Sequence, residues 1–494
     1  MRVSEYFGLN RTQPSLDFVD IDIENDTPVY IDPSAIRNLP GEWAEQSLEM
    51  LSTFFESVLD ALKGGNQERL KELLIRLQEP NETHFGLSKG KSRGRGLGPE
   101  LVQRICENLT ASRAAETGIL QDLEDTALFI ANIGKDIISD VTTNVIRGAL
   151  IAYTQSVCAM YGIPLEDGVY SGLVWDPIRR DWIEDYTRLP VAEGKPLLLV
   201  PKIIVRYDLH LTKEDFFRRH LAPALQHAEL DNPASKLVRT AKNGQKYVNK
   251  ADVEAEYGGD KTVIANLTYE RTDVFQSYKE ERRQNPSPPL TLDELSKATG
   301  TPQVDFDKLL SEVLAIPPGS ADAKRYHDAV EALLTPLFHP SLTQPVIEHD
   351  LNEGRKRVDI LYTNTARHGF FDWLTRNRYL CPYVFVECKN YTSDLKNPEL
   401  DQIYGRLSPI RGRVGIIVCR SFENKSVFLR RCRDVAHTQK SYILVLDDDD
   451  LYSLVDEVKQ SRMPMTDIVD SVLVDRPEPQ EFRLLHEQFR DLVS

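Results

Sequence analysis

The chain has 494 residues, with 60 Lys and Arg against 76 Asp and Glu, and its formal net charge of −16 argues against a protein that coats nucleic acid wholesale. Hydrophobic content of 41% and charged content of 28% are those of a globular protein long enough for two or three domains. There is no run of about 18 apolar residues to cross a membrane, no apolar signal core at the start and no Cys-x-x-Cys pair among six cysteines, so a cytoplasmic protein with buried reduced thiols is expected.

Residues 12–33 contain Leu16-Asp-Phe-Val-Asp-Ile-Asp-Ile-Glu24 and read as a half-exposed alternating strand, with Asp32-Pro33 opening a helix. Asp17, Asp20, Asp22, Glu24, Asp26 and Asp32 are then surface acids of that strand rather than metal ligands. Leu48, Leu51, Phe54, Phe55, Val58 and Leu62 space one face of a helix over 42–62 that stops at Gly64-Gly65. A second helix runs near 67–77. The glycine-rich basic stretch 86–99 has neither Walker A nor Rossmann spacing. It reads as a surface loop before a helix start, and Lys91, Arg93 and Arg95 are the best candidates for phosphate contact outside the downstream quarter.

Asp140 is placed as the N-cap of a helix over 141–161. Strands follow at 172–175, 180–186 and 197–206, the last apolar enough for a sheet centre although Pro201 suggests a bulge or an edge. Thr212-Lys-Glu-Asp215 caps another helix. Between about 231 and 303 large apolar residues become sparse, and Asn285-Pro-Ser-Pro-Pro-Leu is a break. The expected division is therefore an α+β region over 1–230, a polar helical connector over 231–317, a catalytic α/β domain over 318–460 and a tail over 461–494.

The downstream domain holds the chemistry. A helix over 321–338 presents Tyr326, Val330, Leu333, Leu334 and Leu337 as its stripe. Short β-branched strands carry Arg357-Val-Asp359 and Tyr383-Val-Phe-Val-Glu387-Cys-Lys389. Residues two apart share a strand face, so Glu387 and Lys389 point together, away from Val384, Val386 and Cys388. Such charges are costly to bury unless paired or bound to a metal. Asp359 supplies a second carboxylate, and two acids with one lysine suit a divalent ion that activates water against a phosphodiester. Then come a helix with Gln402, an apolar strand over 414–419, a helix and a strand over 442–446. The aromatics Phe370, Phe371 and Trp373 between the acid strands read as packing, and Asp447 to Asp450 as an N-cap for the following helix.

Asp359, Glu387-Cys-Lys389 and this order of elements resemble the PD-(D/E)XK superfamily of restriction-endonuclease-like nucleases, over roughly residues 318 to 460. The resemblance implies a multidomain α/β chain whose C-terminal core is a mixed central sheet flanked by helices. It implies Mg²⁺, with Mn²⁺ as substitute, held by Asp359, Glu387 and the carbonyl of Cys388, with Glu331 as the acid on the first helix and His327 one turn earlier. Lys389 would orient the attacking water, and Gln402 would position water or substrate. Arg406, Arg411 and Arg413, in a basic cluster with Arg420, Lys425, Arg430, Arg431 and Arg433, would meet the nucleic-acid backbone. The expected activity is an Mg²⁺-dependent endonuclease acting on DNA, of the restriction or phage-defence kind. A non-catalytic nucleic-acid-binding or assembly module and an RNase are the alternatives. Expected partners are DNA and no membrane; a homodimer or higher homo-oligomer and a partner protein or activating ligand at the N-terminal region are left open.

Overall fold

The computed structural model describes residues 1–86, 99–116, 118–258, 260–351, 356–391, 393–462 and 480–494. Its downstream half is organised by the strand Val414–Cys419, in which all six residues are buried. Apolar residues on both faces are what a central parallel strand needs. With labels in chain order, the sheet consists of β1 (Leu342–Leu351), β2 (Lys356–Asn364), β3 (Tyr383–Lys389), β4 (Val414–Cys419) and β5 (Tyr442–Leu446), in the order β5-β4-β3-β2-β1. β1, β2 and β3 are antiparallel neighbours, whereas β3, β4 and β5 run parallel. The sheet is therefore mixed, as expected.

The helices packed about it are α1 (Ala323–Phe338), α2 (Gly369–Arg376), α3 (Asn397–Tyr404), α4 (Lys425–Gln439), α5 (Asp448–Arg462) and α6 (Arg483–Val493). Phe370 and Phe371 are buried in α2, so the insertion between β2 and β3 is a packing element. Asp447 Oδ1 accepts the N–H of Asp450 at 3.0 Å, capping α5.

Among the described residues two large hydrophobic cores divide the chain, one reaching from Val3 to Leu295 and the other from Leu292 to Leu492. The polar stretch after Asp231 is mostly helical, and Val248, Val253, Ile264, Phe275, Tyr278 and Leu290 join the upstream core. Packing thus separates the halves around residues 290–295, just after the proline-rich break, and not at 231. Averaged composition hides this because each connector helix buries only a narrow stripe. The tail also belongs to the downstream core, through Leu485, Phe489 and Leu492.

Three upstream expectations are corrected. Residues 13–21 form no half-exposed strand; every one is buried, with a short 3-10 turn at Gln13–Ser15 and only Tyr30–Ile31 extended, paired to Val205–Arg206. The acids there are internal: Asp17 accepts from Tyr153 Oη at 2.8 Å and Asp20 from Ser4 Oγ at 2.6 Å. Residues 197–204 lie outside any central sheet and contain a 3-10 turn after Pro201, whose missing N–H suits such a break. Asp140 sits inside the helix Lys135–Val145, and a second helix, Arg147–Tyr161, follows it.

The halves meet across charged contacts. Arg11 pairs with Glu331 and donates to the Asp328 carbonyl at 3.0 Å, while Asp17 Oδ1 accepts the N–H of Gln344 at 3.0 Å.

Candidate active site

Pleating places Glu387 and Lys389 of β3 on one face, where they are 1% and 8% exposed. Lys389 Nζ donates to Glu387 Oε1 and to Gln402 Oε1, each at 2.9 Å. The β2–β3 register pairs Ile360 with Val386. One residue further along, Asp359 faces Glu387, so the two acids project from the same side. The N–H of Cys388 donates to Asp359 Oδ2 at 2.7 Å and fixes that carboxylate; His327 Nε2 lies 3.7 Å from the same oxygen. Arg406, just past the end of α3, forms an ion pair with Glu387 Oε2 outside hydrogen-bond geometry. Burial lowers the Arg406 pKa, against the opposing charge of Asp359.

Asp359, Glu387, Lys389 and Gln402 are therefore gathered as the sequence suggested. Cys388 takes part through its backbone; its thiol is buried, and burial holds its pKa well above the usual thiol range. Glu331 is not offered to the pair. It is fully buried, paired with Arg11, and accepts from Thr335 Oγ1 at 2.8 Å, while burial raises its pKa against the pull of Arg11.

The basic cluster is largely structural. Arg406 is 8% exposed and faces inward to Glu387 rather than outward to a nucleic-acid backbone. Arg413 Nη1 donates to the Gln439 carbonyl at 2.7 Å, bracing the end of α4. Arg420 donates to the Val313 and Leu314 carbonyls, and Lys425 pairs with Asp447 and Asp450. Arg411 is half-buried in the Ser408–Gly412 turn, its N–H donating to Ser408 Oγ at 3.1 Å. Lys91, Arg93 and Arg95 lie outside the described residues. The four-residue spacing from Gln402 to Arg406 was the available signal that both reach one site. No local signal marked Arg11, whose partner is 320 residues away.

Gly415 on β4 fixes the approach of α3. A Cβ there would meet Ile403 Cδ1 at 2.7 Å and Cγ1 at 3.2 Å. Gly415→Ala should therefore force Ile403 into another rotamer or shift α3, and with it Gln402, at a stability cost of about 1–3 kcal/mol. A chemical melt and an activity assay should show a modest stability loss with a disproportionate fall in turnover. Restored turnover in Gly415→Ala/Ile403→Val would identify the clash as the cause, whereas unchanged turnover in Gly415→Ala would show that the seating of α3 does not matter.

Among the described residues no group of three or more His, Cys, Asp or Glu side chains gathers as a metal cage. Two carboxylates on paired strands remain a donor set that fits Mg²⁺, which is commonly held by one or two carboxylates, waters and substrate phosphates rather than by an all-protein cage. Arg406 already serves this acid pair as a cation.

The described architecture is thus a mixed α/β sheet with paired acids, a lysine and an arginine at one face. A family model described as a domain of unknown function (DUF8370) matches residues 8–212, all within the upstream half. No curated protein and no solved structure matches the chain.

Proposed function

We propose that the downstream half is a metal-dependent endonuclease that hydrolyses phosphodiester bonds in DNA. The observation that carries this reading is the position of Lys389, held by Glu387 and Gln402 beside a second strand-borne acid, Asp359. An ammonium has three donors. Two are taken among the described residues, and the third is available to a phosphate oxygen or to the attacking water. Glu387 and Gln402 fix Lys389 in place before substrate arrives, which is how a site stabilises charge developing in the transition state. The Cys388 N–H holds Asp359 in the same manner. Bound Mg²⁺ would supply a water made acidic enough to attack and a counter-charge for the phosphate, with Asp359 and Glu387 as its protein ligands. Arg406, paired with Glu387, would add positive charge beside the acids that would hold the ion. The large upstream half suits a regulated effector of the restriction or phage-defence kind, by analogy of architecture.

Incubation of the purified protein with plasmid, linear DNA and RNA, in Mg²⁺, Mn²⁺ or EDTA, tests the reading. Metal-dependent cleavage of DNA is expected. Preference for RNA would reassign the substrate, and inactivity on all three under every metal would remove the enzymatic proposal.

The same acids predict a thermal signature. Millimolar Mg²⁺ or Mn²⁺ should raise the melting temperature above that in EDTA, since an ion at 100 times its Kd stabilises the native state by about 2.7 kcal/mol. Asp359→Ala should lose most of that rise and all cleavage. Equal shifts in the two proteins would place the ion elsewhere.

A further inference from the structure

A cleft of about 980 Å³ lies where the two halves meet, lined on the upstream side by Asp32, Arg37, Arg206 and His210 and on the downstream side by Arg367, His368 and Arg376. It lies apart from Asp359 and Glu387: Asn364 and Thr365 in its wall stand at the far end of β2 from Asp359. Four of its lining arginines face two lining aspartates, Asp32 and Asp372, in a chain whose net charge is −16.

The arginines are not equivalent. Arg37 is neutralised by Asp122 at 2.9 Å and Glu124 at 2.8 Å, and Arg376 by Asp372 at 2.7 Å. Arg206 and Arg367 form no ion pair with a carboxylate among the described residues. Arg206 is 7% exposed and, among the described residues, donates only to carbonyls, those of Ile203 and Val205 at 2.8 Å and of Ser287 at 3.2 Å, while its Nε finds no hydrogen-bond partner there. Asp32 is an opposing charge that acts on it, but burial raises the Asp32 pKa and weakens that compensation. Arg367 is exposed, and its guanidinium donates to the Asn38 carbonyl of the other half. A guanidinium buried without a contacting anion is costly, and a bound anion would offset that cost.

We propose that this cleft binds a phosphate-bearing small molecule of nucleotide size, with Arg206 of the upstream half and Arg367 of the downstream half meeting its phosphates. The volume stands at the upper end of the range for ligand sites, about 300–1,000 Å³, and exceeds the needs of a lone phosphate ion. The apolar rings of Pro286, Pro288 and Pro289 line the same cleft and suit contact with the base or sugar of such a ligand. Because its contacts come from both halves, the ligand would stabilise their docking by linkage. The inference stands apart from the nuclease reading.

Calorimetry on the full chain in EDTA, with ATP, tripolyphosphate and adenosine as probes, tests it. ATP and tripolyphosphate should bind and adenosine should not. Arg367→Glu, a change at an exposed position, should weaken ATP binding by about tenfold or more without lowering the melting temperature of the free protein. Asp359→Ala should bind ATP as the wild type does, which separates this cleft from the cleavage site. No binding of ATP at millimolar concentration, unchanged binding in Arg367→Glu, loss of binding in Asp359→Ala, or binding of a single-stranded oligonucleotide but of no nucleotide would each overturn the proposal.

Discussion

Replacing Lys389 with alanine should leave the fold and metal binding close to those of the wild type and slow cleavage on the order of 10²- to 10⁴-fold. The structure says why the two effects separate. Glu387, 1% exposed, carries two cationic partners, Lys389 and Arg406. Removing the lysine leaves Arg406 in place, so the buried carboxylate is not stranded and its cost to stability is small. Gln402 loses its donor but remains beside the space vacated. What disappears is the ammonium proton that no acceptor among the described residues takes. Single-turnover cleavage rates and a metal-dependent thermal shift, measured on the same preparation, distinguish the roles. A near-wild-type rate would sink the assignment of β3 as the catalytic strand. A metal shift lost together with the rate would make Lys389 a group that organises the acids rather than one that serves the chemical step.

The downstream half was legible because its signals are local and redundant. Strands such as Val414–Cys419 are apolar throughout, which matches burial on both faces, and the pleat alone places Glu387 beside Lys389. The order of elements implies that Asp359 and Glu387 lie on neighbouring strands, whereas the register that sets them opposite each other is seen only in the pairing of Ile360 with Val386. The upstream half was less legible for an opposite reason. Asp17, Asp20, Asp22 and Glu24 are interspersed with apolar residues as in a half-exposed strand, yet Asp17 and Asp20 are internal because Tyr153, Lys202 and Ser4 come to meet them from distant segments. Alternation encodes two environments, and here both are protein. The same holds for Arg406: one arginine in a basic run looks like a rim, and only the position of Glu387 turns it inward. The cleft between the halves gave no contiguous signal, since its walls come from residues more than 300 positions apart.

The contact between Arg11 and Glu331 should carry the largest single-residue effect on stability. The Glu331 side chain is 0% exposed and that of Arg11 12%, and each comes from a different half. Arg11→Ala strands a carboxylate in the interior, a change that costs about 3–5 kcal/mol when one partner of a buried pair is removed. Thr335 would remain its main hydrogen-bond donor, and Lys202 its main remaining opposing charge. The loss should depend on pH in a fixed direction. Burial already raises the Glu331 pKa above its unfolded value, and Arg11 is the chief influence opposing that rise. Without Arg11 the folded pKa climbs further. The protonated acid is then the form the fold favours, so its contribution is fully present below the unfolded carboxylate pKa, roughly 4.3, and is lost as pH rises through the folded value. The deficit of Arg11→Ala relative to wild type should therefore be smallest in acid and grow toward neutral pH. Adding Glu331→Gln removes the stranded charge, keeps a group that can accept from Thr335, and should recover most of the loss at pH 7. Thermal melts of the wild type, Arg11→Ala and the double variant between pH 4.5 and pH 8 check this. A deficit independent of pH, or a double variant no better than Arg11→Ala, would mean that the buried charge is not what Arg11 offsets.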